Sequence, residues 1–130
     1  MKLEIDKVTS LVDKWRDILG IDKKWSIGIK IHETESDVED EDNRDCYAYT
    51  MTEEAYFNAD ISFNSFKFVD KDEEFLDLTA CHEVLHIVFH KHELLISKAL
   101  GKGNEKLAHI MTENMNEIIS RALIDCSRKK

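Results

Sequence analysis

The pentapeptide HEVLH, at residues 82–86, is the feature that most restricts how this chain can fold, because it lies inside the longest apolar run of the sequence. Between Phe75 and Phe89 the only polar side chains are Asp77, Thr79, His82, Glu83 and His86. Most of this segment must therefore face a core. A polar group buried without a partner costs roughly 2–7 kcal/mol, so the histidines and the glutamate need partners or a metal ion.

Length and composition predict one folded domain. The chain has 130 residues, enough for one domain with a core and too few for two ordinary ones, so we predict a single domain over residues 1–130. With 42% hydrophobic and 35% charged residues it is expected to fold. The net charge of -9 argues against binding to nucleic acid or to an anionic membrane, since both need a basic surface.

Three further features predict a cytoplasmic protein. No run approaches the roughly 20 apolar residues of a membrane span. The first ten residues, MKLEIDKVTS, lack the apolar stretch of a signal peptide. Cys46, Cys81 and Cys126 are odd in number and far apart, which favours reduced thiols, and none has the CxxC spacing of a zinc cluster.

The pattern of apolar residues divides the first part of the chain into a helix, a strand and a loop. Apolar residues recur at helical spacing from Leu3 to Leu19, and Gly20 can end a helix there. Residues 25–33 alternate between apolar and polar side chains, which predicts a half-buried strand. Residues 33–45 carry eight Asp or Glu, and we predict a mobile acidic loop rather than a calcium site, whose glycine and spacing are missing.

The remaining segments predict a hairpin and two helices. CYAYTMT (46–52) and AYFNADISFN (55–64) are rich in aromatic and β-branched residues, as paired strands are. A helical pattern begins at Asp72 and runs to His90 or on to Gly101, and a last helix runs from about Asn104 to Cys126. The expected fold class is α+β, with an N-terminal helix, a short three-stranded sheet, the helix that carries HEVLH and a C-terminal helix.

HEVLH has the spacing of a metal site. Residues i and i+4 of a helix lie about 40° and one turn apart, so His82 and His86 can bind one ion. Glu83 is rotated by about 100° from His82 and can hold a water bound to that ion. Zinc lowers the pKa of such a water to about 7, so that Glu83 can act as the general base of a hydrolysis.

This segment has two alternative interpretations. The histidines and the glutamate could instead be satisfied by backbone carbonyls and an arginine in an ordinary core. His90 could be proposed as a third ligand, but it lies about 12 Å along the helix from His82, too far for zinc–nitrogen bonds of about 2.1 Å. The third ligand is therefore expected from another segment.

The last helix offers the third ligand. A catalytic zinc keeps three protein ligands and one open position, and LAHIMTENMNEIIS contains His109, Glu113 and Glu117. The two glutamates are one turn apart, so one can bind the ion while the other orients a histidine. Ile110 and Ile124 share their face and favour its burial. In the opposing alternative both glutamates face solvent. The position of the main apolar stripe favours it, since this stripe lies more than about 100° from Glu113 on the helix. The stripe comprises Leu107, Met111, Met115, Ile118 and Ala122.

At these residues the chain resembles the zincin metallopeptidases that use a glutamate ligand, the gluzincins. More closely, it resembles the small zincin-like proteins of phages and prophages and the related ImmA/IrrE-type peptidases. The similarity rests on WSIGIKI, AYFNADISFN, ACHEVLHIVFH and ENMNEIISRAL, and HEVLH is the specific element. It implies a minimal zincin-like fold, one Zn²⁺ per chain and, for a phage-encoded protein, a place in the host cytoplasm.

The resemblance also implies roles for individual residues. His82, His86 and Glu113 match the metal ligands, Glu83 matches the general base, and Glu117 lies where the family has an outer carboxylate or amide, usually Asp or Asn. NEIIS also resembles a motif in which Glu117 itself is the ligand, but Arg121 then occupies the position of an expected carboxylate.

The resemblance implies a protein or peptide substrate. The strand before the active-site helix of zincins commonly lies along the cleft, and an exposed strand edge can pair with an extended peptide. In this chain that edge strand is predicted to contain Ala59, Asp60, Ile61 and Ser62. A strand paired only within the domain is the alternative. No residue could be assigned to stabilise the oxyanion, although His90 and His92 are candidates.

Two functions from different classes follow. The first is a zinc-dependent peptidase that cleaves a protein substrate. The second is a catalytically idle zincin-fold module that sequesters a protein partner, such as a regulator in a phage or mobile element. The presence of Glu83 favours the enzyme, because a purely structural zinc would need four protein ligands and no base.

Overall fold

Helix α1 (Ile5–Ile18) forms from the first apolar pattern in the computed structural model, which describes residues 1–128. Its buried residues are Val8, Val12 and Trp15, and this face packs against helix α2 (Glu73–Leu100). Trp15 Nε1 donates a hydrogen bond to Asp77 Oδ1 at 2.7 Å. The first helix therefore braces the helix that carries HEVLH.

Trp15→Ala is expected to lower the free energy of unfolding by about 3–5 kcal/mol, because the side chain is 1% exposed and its loss leaves a cavity. Ile18→Ala, on the same helix but at a residue 56% exposed, is the matched control and should change stability by about 0.5 kcal/mol or less. Urea denaturation of both variants measures the difference. Equal losses would contradict the packing described.

The strands form one sheet. Its members are β1 (Ser26–His32), β2 (Ala48–Glu53) and β3 (Asn58–Asn64), in the order β1-β3-β2. β2 and β3 are antiparallel, as the predicted hairpin requires, and β1 runs parallel to β3. Alternation along β3 puts apolar side chains into the core, namely Ala59, Ile61 and Phe63.

The prediction that the strand containing Ala59, Asp60, Ile61 and Ser62 is an exposed edge is wrong. β3 is the central strand, and its backbone hydrogen bonds go to β1 on one side and to β2 on the other. The physical reason is burial. In residues 59–64 of β3 only Asp60 is exposed, and a strand so deeply buried is covered by neighbouring strands on both sides. The edge strands are β1 and β2.

The acidic segment 33–45 has more structure than predicted. It contains two short 3₁₀ helices, Glu35–Asp37 and Glu41–Asp45. Val38 between them is fully buried. The Asn64 amide donates hydrogen bonds to the carbonyl oxygens of Asn43 at 2.9 Å and Cys46 at 2.8 Å. The single apolar residue and the amide thus anchor a segment whose charges otherwise face water.

Two long helices complete the fold. Asp72 caps α2, its Oδ1 accepting the Phe75 backbone N–H at 2.9 Å, and α2 continues without a break to Gly101, which has a φ of 87°. Helix α3 (Glu105–Arg128) returns along it. The observed class is α+β, as predicted, with an N-terminal helix, a sheet and then two helices.

The three cysteines are free thiols. Within residues 1–128 no helix is both long and apolar enough to cross a bilayer.

The face that α3 buries is not its apolar stripe. Ile118 is 70% exposed, and Leu107 and Met111 are about half exposed. The buried residues recur every four positions and are mostly small or polar: Ala108, Thr112, Asn116, Ser120 and Ile124. The alternative in which the stripe packs inward and Glu113 and Glu117 face solvent is therefore wrong, since these glutamates border the buried face and lie against α2.

Candidate metal centre

Helices α2 and α3 bring three predicted ligands together. The ring centroids of His82 and His86 are 5.0 Å apart. His82 Nε2 lies 3.1 Å from Glu113 Oε2, and His86 Nε2 lies 2.7 Å from Glu113 Oε1. One donor atom from each of these residues lies within 4.8 Å of the others. Both rings therefore present the same nitrogen to one point, as binding of a shared ion requires.

The opposite nitrogen of His82 contacts Glu117. His82 Nδ1 lies 3.2 Å from Glu117 Oε2. The second oxygen, Glu117 Oε1, accepts a hydrogen bond from Arg121 Nε at 2.8 Å. A histidine whose Nδ1–H is held by a carboxylate keeps its Nε2 lone pair free for a metal. In this structure Glu117 thus lies outside the convergence point, where it can orient the ring.

The opposite nitrogen of His86 contacts Asn116, a residue that sequence reasoning missed. Asn116 is fully buried, and its Nδ2 lies 3.2 Å from His86 Nδ1. Its Oδ1 has no hydrogen-bond partner among the described residues. This arrangement suits the metal-free ring, whose Nε2–H donates to Glu113. When an ion occupies Nε2 the proton belongs on Nδ1, and we expect the amide to turn so that Oδ1 accepts it.

Asn116→Ala is expected to weaken zinc binding by about 10- to 100-fold, as is typical when the outer partner of a ligating histidine is lost. Asn116→Asp keeps an acceptor and should stay close to wild-type affinity. Ser120→Ala is the matched control, one turn further along the same buried face, where the hydroxyl donates to the Glu117 carbonyl of its own helix. Competition with a chromophoric chelator measures all three. An Asp variant as weak as the Ala variant would contradict the acceptor role.

Glu83 lies beside the three donors but is not one of them. It is 4% exposed, and its Oε1 accepts a hydrogen bond from the Thr50 hydroxyl on β2 at 3.0 Å. Its Oε2 lies 4.0 Å from His82 Nε2. The second carboxylate oxygen of Glu83 therefore faces the convergence point.

The ionisable side chains of the cluster shift one another's pKa values. Burial disfavours the charged form of His82 and His86, but hydrogen bonds to Glu113 and the charges of nearby glutamates outweigh it and raise the pKa of both rings. Burial also opposes ionisation of Glu113, yet its hydrogen bonds with the two imidazoles hold its pKa well below the usual range. Burial raises the pKa of Glu83. The contacts between Glu113 and the two imidazoles thus set the directions of these pKa shifts in the metal-free cluster.

A cavity of about 840 Å³ opens over the cluster. Strand β2 lines one side, and the facing sides of α2 and α3 line the other. Two turns before the cluster on α2 the lining is apolar, with Phe75 packed edge-on against Tyr47 at 4.8 Å between centroids. Two turns after it the lining is polar, with Glu93 3.0 Å from His109. The cavity is large enough for several residues of an extended peptide.

The other histidines lie outside the ligand set. His109 Nε2 is 3.9 Å from Glu113 Oε1, and its Nδ1 pairs with Glu93. His90 lines the cavity. His92 packs edge-on against Phe89, and neither His90 nor His92 is joined to the cluster by a hydrogen bond.

The donor set fits a zinc ion. Bonds of about 2.1 Å in a tetrahedral site separate the donor atoms by about 3.4 Å. One donor atom from each of the three residues lies within 4.8 Å of the others, so shifts of about 1–2 Å would give that spacing. Two imidazoles and one carboxylate are a common catalytic donor set. His82, His86 and Glu113 would hold the ion and leave a fourth position open towards the cavity.

Comparisons of the chain with protein-family models, with curated proteins and with solved structures found no match. A fold supports many different reactions. Function is therefore inferred from the residues of the site.

Proposed function

We propose that this chain is a zinc-dependent metallopeptidase of the gluzincin type, which hydrolyses peptide bonds in a protein or peptide substrate. One observation carries the proposal: the Nε2 atoms of His82 and His86 converge on the Glu113 carboxylate, and a second, buried carboxylate, that of Glu83, borders the same point. Three ligands with a free carboxylate beside them are the arrangement of a catalytic rather than a structural zinc.

The chain's own residues then have distinct tasks. When bound, zinc supplies Lewis acidity and a water whose pKa is lowered to about 7. Glu83 Oε2 accepts a proton from the attacking water and passes it to the leaving amine. Glu117 and Asn116 hold the two imidazoles so that their Nε2 atoms stay directed at one point.

The substrate is proposed to bind as an extended chain. β2 is an edge strand and lines the cavity, so its free edge can pair with a peptide backbone. This replaces β3, and with it residues 59–62, as the proposed substrate-binding strand. The free thiols of Cys46, Cys81 and Cys126 support a reducing compartment, and we place the activity in the cytoplasm.

The test is to load the purified chain with one equivalent of zinc and incubate it with denatured protein and with a peptide library. We expect cleavage that stops on chelation and returns on addition of zinc. A chain that binds one zinc yet cleaves nothing, and whose biological effect survives Glu83→Gln, would instead be a zincin-fold module that sequesters a protein partner.

A further inference from the structure

The Thr50 hydroxyl makes a connection between the sheet and the site that the metal ligands do not explain. Thr50 is half-buried on β2, opposite Ile61 of β3. Its Oγ1 lies 3.0 Å from Glu83 Oε1 and 3.3 Å from the Glu83 backbone oxygen. Through this contact β2, the proposed substrate-binding strand, is joined directly to the proposed general base.

The contact discriminates between the two oxygens of Glu83. Oε1 is occupied by the Thr50 hydroxyl, whereas Oε2 is directed to the metal side, 4.0 Å from His82 Nε2. The terminal torsion of a glutamate is broad, so an unheld carboxylate samples many orientations. The hydroxyl therefore selects which oxygen faces the attacking water and limits the plane of the carboxylate.

We propose that Thr50 is a positioning residue, which acts through Glu83 by holding its carboxylate in the orientation needed to accept the proton of the water. This inference rests on the proposed peptidase function. The side-chain hydrogen bonds of Thr50 in the described part of the chain both go to Glu83 and not to the three metal donors. Misplacing a reacting group by about 1 Å can cost about 100-fold in rate, so even a small rotation of Glu83 should be measurable.

The kinetic test compares two substitutions at this position. Thr50→Val keeps the shape of the side chain and loses the hydroxyl, and Thr50→Ser keeps the hydroxyl. We expect the Val variant to lose about 10- to 100-fold in kcat, with KM and zinc content within about twofold of wild type. The Ser variant should stay within about threefold. A Val variant with unchanged kcat, or a Ser variant as slow as the Val variant, would overturn the proposal.

A second test needs no catalysis. In the metal-free protein, Thr50→Val leaves the buried Glu83 carboxylate without its donor and should lower the melting temperature by about 3–6 °C. In a Glu83→Ala background the hydroxyl keeps the backbone oxygen of residue 83 as an acceptor, and the same change should lower the melting temperature by less than half as much. Equal shifts in both backgrounds would show that Thr50 does not act through Glu83. If the wild-type enzyme cleaves nothing, the proposed function fails, while this cycle still decides whether Thr50 holds Glu83.

Discussion

Glu83→Gln is expected to reduce peptide hydrolysis by about 10²- to 10⁴-fold while zinc content stays at one ion per chain. Glutamine has the size of glutamate and can still accept the Thr50 hydrogen bond, but it cannot take up the proton of the attacking water. Glu83 is outside the set of converging donors, so zinc should remain bound. Initial rates and zinc content, measured on the same preparation, test both parts.

Glu93→Gln is the matched control for that substitution. Glu93 lines the same cavity and undergoes the same chemical change, but its carboxylate pairs with His109 at 3.0 Å and is not part of the metal cluster. We expect its activity to stay within a few-fold of wild type. If Glu83→Gln retains full activity, or loses its zinc, the assignment of Glu83 as general base is wrong.

Glu113→Ala is expected to weaken zinc binding far more than Glu117→Ala. Glu113 contacts the Nε2 atoms of both histidines, whereas Glu117 contacts one of these histidines, His82, and at its Nδ1. Loss of an outer partner costs about 10- to 100-fold in metal affinity, which is our expectation for Glu117→Ala, and loss of a direct ligand should exceed that range. Chelator competition on the two variants gives the comparison.

The comparison of these two variants also shows which turn of α3 supplies the third ligand. Glu113 and Glu117 are one turn apart on α3, and either could supply the third ligand on spacing alone. If Glu117→Ala loses zinc while Glu113→Ala keeps it, the ion binds one turn further along the helix than we propose. Arg121, which pairs with Glu117 at 2.8 Å, would then have to release that carboxylate.

Most elements of the fold could be predicted from periodicity, because each strand and helix has a local apolar pattern. The order of the strands could not. The hairpin pairs β2 with β3, but nothing local shows that β1 joins β3 on its other side. The central position goes to the strand that buries the most side chains. This strand is β3, in which Ile61 and Phe63 are fully buried.

Helix α3 shows why an apolar stripe can mislead. The usual rule places the more apolar face inward, yet Ile118 is 70% exposed and the buried face includes Thr112, Asn116 and Ser120. Of these three residues, Asn116 contacts the His86 imidazole of α2, whereas the Thr112 and Ser120 hydroxyls donate to carbonyl oxygens of α3 itself. Small and short polar side chains thus form the face of α3 that packs against α2, and the apolar stripe stays largely exposed.

The candidate site was predictable where its spacing lies within one helix. HEVLH defines His82, Glu83 and His86 in one turn, and the structure brings Glu113 to them. The residues that contact the Nδ1 atoms of the two histidines and the carboxylate of Glu83 were harder to predict from the sequence. Asn116 and Thr50 carry no motif, and their contacts come from the packing of α3 and β2 against α2, which depends on the whole fold.

The most direct measurement is anomalous diffraction at the zinc absorption edge, from crystals grown with excess zinc. We predict one strong peak within about 2.1 Å of His82 Nε2, His86 Nε2 and a Glu113 oxygen, with a water in the fourth position. Absence of a peak between the two imidazoles, or a fourth protein atom bound to the ion in place of the water, would contradict the proposed catalytic centre.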